Sequence, residues 1–314
     1  MTFAEIKNIK DKILNGGLIS RAQAKELSQT RNIEILLYSA DQIRSRFRQR
    51  RFEMCASASL NTPMSKCCPC CMSSSDSEII KKIDNEYLYL QTGELFKCGV
   101  NKIGLVSYSA CLSDKEVDDI CQICQQITIN SGITICLSAG LITAEQFEKL
   151  KKAGIIHYNC NLEILSDTFF NEATEIRDKK IIDTIKSAQQ TGLNICAACS
   201  IGQGESMADR ISIALKFRDL KIKSIVFNIN RNIGDNVTEI PNQEILSTIA
   251  VFRFIIPDAN LRWLKRKDKL EIIEDEAYKA GISATVAGCV FNNHNIKEIE
   301  EEIKKLKSKG KLFG

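Results

Sequence analysis

Short β-branched or apolar runs that alternate with helix-length amphipathic segments predict an α/β fold, a (β/α)8 TIM-type barrel with an N-terminal helical extension. Two further observations support it. Gly132, Gly154, Gly192 and Gly281 each fall between a helix end and the strand that follows, and no stretch rich in Pro, Gly or Ser breaks the series into separate bodies.

The elements follow in order. Helical patterning runs from Thr2 to about Gln49. Strands are expected at Glu53 to Ser57, Lys102 to Ser107, Ile133 to Ser138, Ile155 to Asn161, Leu193 to Ser200, Ser224 to Asn230, Asn260 to Leu264 and Ser283 to Ala287. Helices are expected between them at about 78–98, 114–130, 143–153, 177–191, 206–220, 242–255, 267–279 and 294–308. Asp178, Asp209 and Asn242 fall near helix starts, where short polar side chains cap backbone N–H groups. The expected division is an extension over 1–50 and one barrel over 51–314. Reactive groups in such a barrel sit at the C-terminal ends of the strands and in the loops after them.

Composition narrows the function classes. At 314 residues with 44% apolar content the chain can bury a large core. Forty-three basic and 39 acidic residues leave a formal +4 spread along the chain, which points to neither nucleic acid nor an acidic membrane as partner. No apolar run approaches bilayer length, and the N-terminus reads as an amphipathic helix rather than a signal peptide, so a cytoplasmic protein is expected. Fourteen cysteines in that setting favour metal ligation or catalysis over a disulfide framework.

The segment SKCCPCCMS, Ser65 to Ser73, holds four of those cysteines in the loop after the first strand. Cys67/Cys70 and Cys68/Cys71 are overlapping Cys-x2-Cys pairs, a spacing that turns two thiolates toward one metal. A structural zinc site would need a second pair, either Cys121/Cys124 or Cys196/Cys199. Cys121 and Cys124 share a helical stripe with Val117, Ile120 and Ile127, which favours burial as small core residues. An iron–sulfur cluster needs three or four thiolates, and this loop supplies them alone.

The chain resembles the biotin synthase family of radical S-adenosylmethionine (SAM) enzymes over nearly its whole length. The resemblance rests on ILLYSADQIRSRF, the cysteine loop, AGIIHYNCNLEI, TGLNICAACSIGQGE with Asp209-Arg210 beyond it, IVFNIN, IAVFRFIIPDANLRW and ISATVAGCVFNNHNIKEIEEEIKKL. It implies a barrel in which three cysteines hold a [4Fe–4S] cluster whose open iron binds SAM. Reductive cleavage then yields methionine and a 5′-deoxyadenosyl radical that removes hydrogen from an unactivated carbon.

The family's cluster motif is Cys-x3-Cys-x2-Cys. Here Cys68 and Cys71 match its second and third cysteines, and Met64 stands at the first. A thioether is a weak, neutral ligand for such iron, so the third thiolate is expected from Cys67, with Cys70 and Cys55 as alternatives. For the family's second, sacrificial cluster, Cys136, Cys196 and Arg262 match three of the four ligands, and Gly104 stands where the family has a cysteine on the second strand. Cys111, a few residues later, is a poor substitute. Plain core packing of Cys136 and Cys196 is the competing reading.

Asn159, Asn161 and Glu163 alternate along the fourth strand and share one face. By resemblance Asn161 and Glu163 contact the SAM ribose or the organic substrate, and Asn228 contacts the substrate. Cys160 replaces a family histidine, on the parity that points away. Gly202, Gly204 and Glu205 follow the fifth strand, where glycines admit the sulfonium group close to the backbone. Ile181 stands where the family has an arginine for the SAM carboxylate, with Lys180 adjacent, and LKRKDKLEI replaces a Gly-Gly-Arg-Glu signature.

Three functions are compatible with this pattern: radical SAM sulfur insertion converting dethiobiotin to biotin; a radical SAM paralogue in lipoyl-type sulfur insertion or metallocofactor maturation; and a non-catalytic iron–sulfur or zinc protein on the same barrel. The inward thiols and amides favour an enzyme, and sulfur insertion into dethiobiotin is the leading expectation. The resemblance also implies a flavodoxin or ferredoxin electron donor and a homodimer.

Overall fold

The structure, a computed structural model, describes all residues of 1–314 except 50, 61–84, 108, 110, 161–171, 203, 230–239, 265–272, 290–295, 311 and 314. Three helices come first: α1 (Phe3–Leu14), α2 (Arg21–Ser28) and α3 (Ile33–Arg48). Strands and helices then alternate as β1 (Arg51–Ser59), α4 (Asn85–Cys98), β2 (Lys102–Val106), α5 (Asp114–Asn130), β3 (Thr134–Ser138), α6 (Ala144–Lys152), β4 (Ile155–Asn159) and α7 (Glu172–Gln190). The series continues through β5 (Asn194–Ile201), α8 (Met207–Asp219), β6 (Ser224–Ile229), α9 (Asn242–Ile255), β7 (Asn260–Leu264), α10 (Glu274–Lys279), β8 (Ala284–Cys289), α11 (Ile296–Ser308) and β9 (Leu312–Phe313). The strand order runs from β2 to β8 and on to β1, which returns to pair with β2. The eight-strand sheet therefore closes, as a (β/α)8 barrel requires.

The helices begin where their sequences supply caps. Thr2 with Glu5, Ser20 with Gln23, Ser113 with Glu116, Thr143 with Gln146 and Ser206 with Asp209 each form a reciprocal box at a helix start. Asp209 thus serves as the inner partner of the Ser206 cap. Asp178 lies inside α7, because that helix starts at Glu172 rather than near residue 177. The helix expected at 267–279 is described only over Glu274–Lys279, and that at 78–98 only over Asn85–Cys98; the remainder of each lies largely outside the described residues.

Two compact units divide the chain. The first comprises Met1–Phe52, Glu163–Thr174 and Ala198–Thr285. In it α1 packs on α3, α3 packs on α9, and α2 packs on both α8 and α9. Arg21 Nη1 donates to Ser212 Oγ at 2.6 Å, and Arg218 Nη1 to the Ile19 carbonyl at 2.8 Å. At the end of α9 the fully buried Arg253 donates to the carbonyls of Gly281, Pro257 and Ala259, at 2.6 Å from Nη2 and at 2.9 and 2.7 Å from Nη1. One guanidinium thus satisfies backbone acceptors from the turns that lead into β7 and β8.

The second unit comprises Glu53–Leu162, Glu175–Ala197 and Val286–Gly314. Here β1, β2, β3, β4 and the start of β5 lie side by side in parallel register. Tyr158 faces the helix layer, where its ring meets Phe147 of α6 edge-on at 4.8 Å and its hydroxyl donates to the carbonyls of Ala139 and Gly140. Since successive strand residues alternate, His157 and Asn159 leave the opposite face, toward the barrel interior.

Candidate metal centre

The register of the second unit builds the site. Ser57, Gly104, Cys136, His157 and Asn194 form one lateral row across β1 to β5, and Asn159 pairs with Cys196 two residues further along. A register shift sets His157 in that row: Ile135 pairs with Ile155, the next pair is Cys136 with His157, and the skipped Ile156 is left 48% exposed.

Cys136 and Cys196 are both buried, and their sulfurs lie 3.9 Å apart. His157 Nδ1 lies 4.0 Å from Cys196 Sγ. The structure therefore brings together the two cysteines singled out for a second cluster. His157 was missed, although the alternation that selected Asn159 and Asn161 reaches it two residues earlier. Gly104 offers no side chain to this group. A Cβ built there would meet only the Ala56 carbonyl oxygen at 3.7 Å and Ser57 Cβ at 4.0 Å, so the place has room for one.

Two thiols on one side of a sheet, with an imidazole beside one of them, form a soft donor set suited to iron–sulfur ligation. Among the described residues no three His, Cys, Asp or Glu side chains surround a single ion position.

The other candidates fall as follows. Cys67, Cys68 and Cys71, with Met64 and Cys70, lie outside the described residues, as do Asn161 and Glu163. Cys55 is buried on β1. Cys111 is exposed and bridges to Leu141. Cys160 is buried on the Tyr158 side of the chain, and burial pushes its thiol pKa up to about 12. In α5, Cys124 is buried with Val117, Ile120 and Ile127 while Cys121 is half-buried, so the stripe holds for one of the two cysteines. Ile181 is buried, whereas Lys180 is exposed on α7.

The first unit holds the remaining candidates. Arg262 is buried on β7 and pairs in register with Val226 of β6. Phe227 packs against Phe252 of α9, so Val226 and Asn228 leave the opposite face of β6. After β5, Gly202 and Gly204 take φ values of +100° and +94°, a region that side chains rarely enter. Glu205 closes this turn. Its Oε1 accepts from the Gly202 N–H at 2.9 Å and from Arg210 Nε at 2.7 Å. Arg210 in turn reaches Glu244 at 2.7 Å and Thr248 Oγ1 at 3.2 Å. The Glu205 carboxylate is therefore engaged in holding the glycine turn in shape.

A closed (β/α)8 sheet with a pair of facing thiols, Cys136 and Cys196, on its inner side defines an α/β barrel whose interior carries soft metal-ligand chemistry. Residues 65–217 match the radical SAM superfamily, and residues 226–311 match the biotin and thiamin synthesis associated domain. The chain is 31% identical over 316 residues to a biotin synthase of Clostridium botulinum strain Alaska E43, covering 97% of this chain and 98% of that protein. It is likewise 31% identical to a biotin synthase of Clostridioides difficile strain 630, covering 90% and 91%. The chain belongs to the biotin synthase family of radical SAM enzymes, whose cofactors are a [4Fe–4S] cluster and SAM. The fold also matches the [FeFe]-hydrogenase maturase HydG of Carboxydothermus hydrogenoformans, with a TM-score of 0.76 at 18% identity over 98% of this chain and 78% of that one. Methylornithine synthase (PylB) matches with a TM-score of 0.76 at 14% identity over 95% and 96%. Among the described residues no helix is long and apolar enough to cross a membrane.

Proposed function

We propose that this enzyme inserts sulfur into dethiobiotin to give biotin. The observation that carries the reading is the Cys136–Cys196 sulfur pair at 3.9 Å on the inner face of the sheet. Hydrogen abstraction alone has no use for these thiols, whereas sulfur insertion needs a second cluster as sulfur source.

Cys67, Cys68 and Cys71 would hold the [4Fe–4S] cluster, which with SAM supplies a one-electron reductive cleavage and a 5′-deoxyadenosyl radical. Asn161, Glu163 and the Gly202–Gly204 turn would position SAM, with Glu205 fixing that turn. Asn161 and Asn228 would orient the substrate. Cys136 and Cys196 would hold the second iron–sulfur cluster, and Arg262 corresponds to the family's arginine. A flavodoxin or ferredoxin would deliver the electron, and the enzyme would act as a cytoplasmic homodimer with 1–50 as an extension to the barrel.

The test is anaerobic reconstitution with iron and sulfide analysis, coupled to detection of 5′-deoxyadenosine and biotin. About six irons per chain with biotin formed is the expected result. About four irons, SAM cleavage and no sulfur transfer would instead assign a radical SAM paralogue, the reading that Gly104 favours. Zinc without SAM cleavage would leave a non-catalytic protein.

A further inference from the structure

We propose that His157 is an iron ligand of the second cluster, taking the place of the cysteine that Gly104 does not supply. This rests on the reading of Cys136 and Cys196 as cluster ligands.

Three relations on β2 to β5 support it. Gly104, Cys136 and His157 are consecutive members of one lateral row, so His157 flanks Cys136 on the side opposite the missing side chain. Its Nδ1 already lies 4.0 Å from Cys196 Sγ. The register shift at Ile135/Cys136 places it there, since regular pairing would have set Ile156 beside Cys136. Backbone register thus sets the imidazole beside the Cys196 thiol and its Cα opposite Cys136.

The sulfur geometry favours a bridging metal body over a disulfide. Because β4 runs between β3 and β5, the two cysteine-bearing strands are separated by two strand spacings, about 9.5 Å in a flat sheet. A disulfide needs Cα atoms within about 7 Å, so closing one would require backbone movement. A 3.9 Å gap between sulfurs that approach from strands so far apart is close to the roughly 3.8 Å spanned by two thiolates on one tetrahedral metal. With imidazole as the next donor, the set becomes mixed sulfur and nitrogen, and nitrogen ligation raises cluster potentials above all-thiolate ones.

The chain has two histidines, His157 and His294, which makes isotopic labelling nearly site-specific. Full-length enzyme labelled with 15N-histidine alone would be reconstituted anaerobically, and its reduced second cluster examined by pulsed electron paramagnetic resonance. A strong 15N coupling is expected in the wild type, and arginine nitrogen stays silent in that label. His157→Cys should abolish the coupling while about two irons of the second cluster are retained. Gly104→Cys, for which there is space, should also displace the histidine and remove the coupling without touching residue 157.

A second cluster that forms with no histidine coupling overturns the role of His157 and leaves the sulfur-insertion reading standing. A wild type that binds only the first cluster overturns both. Retention of the coupling in folded His157→Cys protein assigns it to His294 and also overturns the proposal.

Discussion

The Sγ atoms of Cys136 and Cys196 lie 3.9 Å apart although β4 runs between the strands that carry them. Inward side chains from alternate strands meet in this way in the layers of a barrel interior, and two thiols so placed suit either a shared metal body or packing as small core residues. With a shared metal body, Cys136→Ala or Cys196→Ala should remove about two irons per chain on anaerobic reconstitution. Biotin formation should stop while 5′-deoxyadenosine still appears. Unchanged iron content in both variants would reduce the pair to core packing.

Glu205 and Arg210 form a pair whose side chains are 6% and 2% exposed. Removing one buried partner leaves the other charge poorly compensated, although Glu244 still reaches Arg210. Glu205→Ala should cost about 3 kcal/mol in urea unfolding and weaken SAM binding, because the Gly202 N–H loses its acceptor. Glu205→Gln keeps an acceptor and should lose less of both. Equal losses in the two variants would contradict the role of the Gly202 contact.

Gly281 combines a φ of +116° with Arg253 side-chain atoms 3.0 Å from where a Cβ would stand. Gly281→Ala should destabilise the protein by about 2 kcal/mol, through backbone strain and displacement of the guanidinium. Arg253→Met should cost about 3 kcal/mol by stranding the buried carbonyls of Gly281, Pro257 and Ala259. Since both changes act on one contact, the double variant should lose less than the sum in equilibrium unfolding. Full additivity would show that the two residues are independent.

Burial raises the Cys160 thiol pKa to about 12, and burial together with a hydrogen bond to Glu300 raises that of Cys98 to about 11. In the unfolded chain these thiols lose their protons near pH 8.5–9. Their contribution to stability is thus whole below about pH 8.5 and falls as pH rises toward the folded values. Denaturation midpoints should drop between about pH 8 and pH 10, and Cys160→Ala should shrink that drop. In native protein, iodoacetamide should label exposed Cys111 well before Cys160 or the buried Cys124. A drop of the same size in Cys160→Ala would place its origin elsewhere.

Much of this was legible in the sequence. Each of the eight expected strands is present, because β-branched runs between amphipathic helices leave a parallel sheet little alternative. The alternation that set Asn159 on one face of the strand set Cys160 on the other, and Cys160 is buried on the Tyr158 side. Helix starts were read unevenly: Asp209 does lie in the first turn, as the inner partner of the Ser206 cap, whereas Asp178 lies inside a helix that starts at Glu172. Glu205 was read as a cofactor contact from its motif alone. Its engagement by Arg210 and Gly202 depends on side-chain directions that a motif does not carry.

The sequence by itself determined the barrel, because periodicity is a property of the chain, while the family and the choice of Cys136 and Cys196 came from resemblance to known sequences rather than from periodicity. Tertiary structure alone decided that Cys136 and Cys196 meet and that His157 joins them. That outcome depends on strand order and on a single register shift, and a slip of one residue in a strand exchanges its two faces.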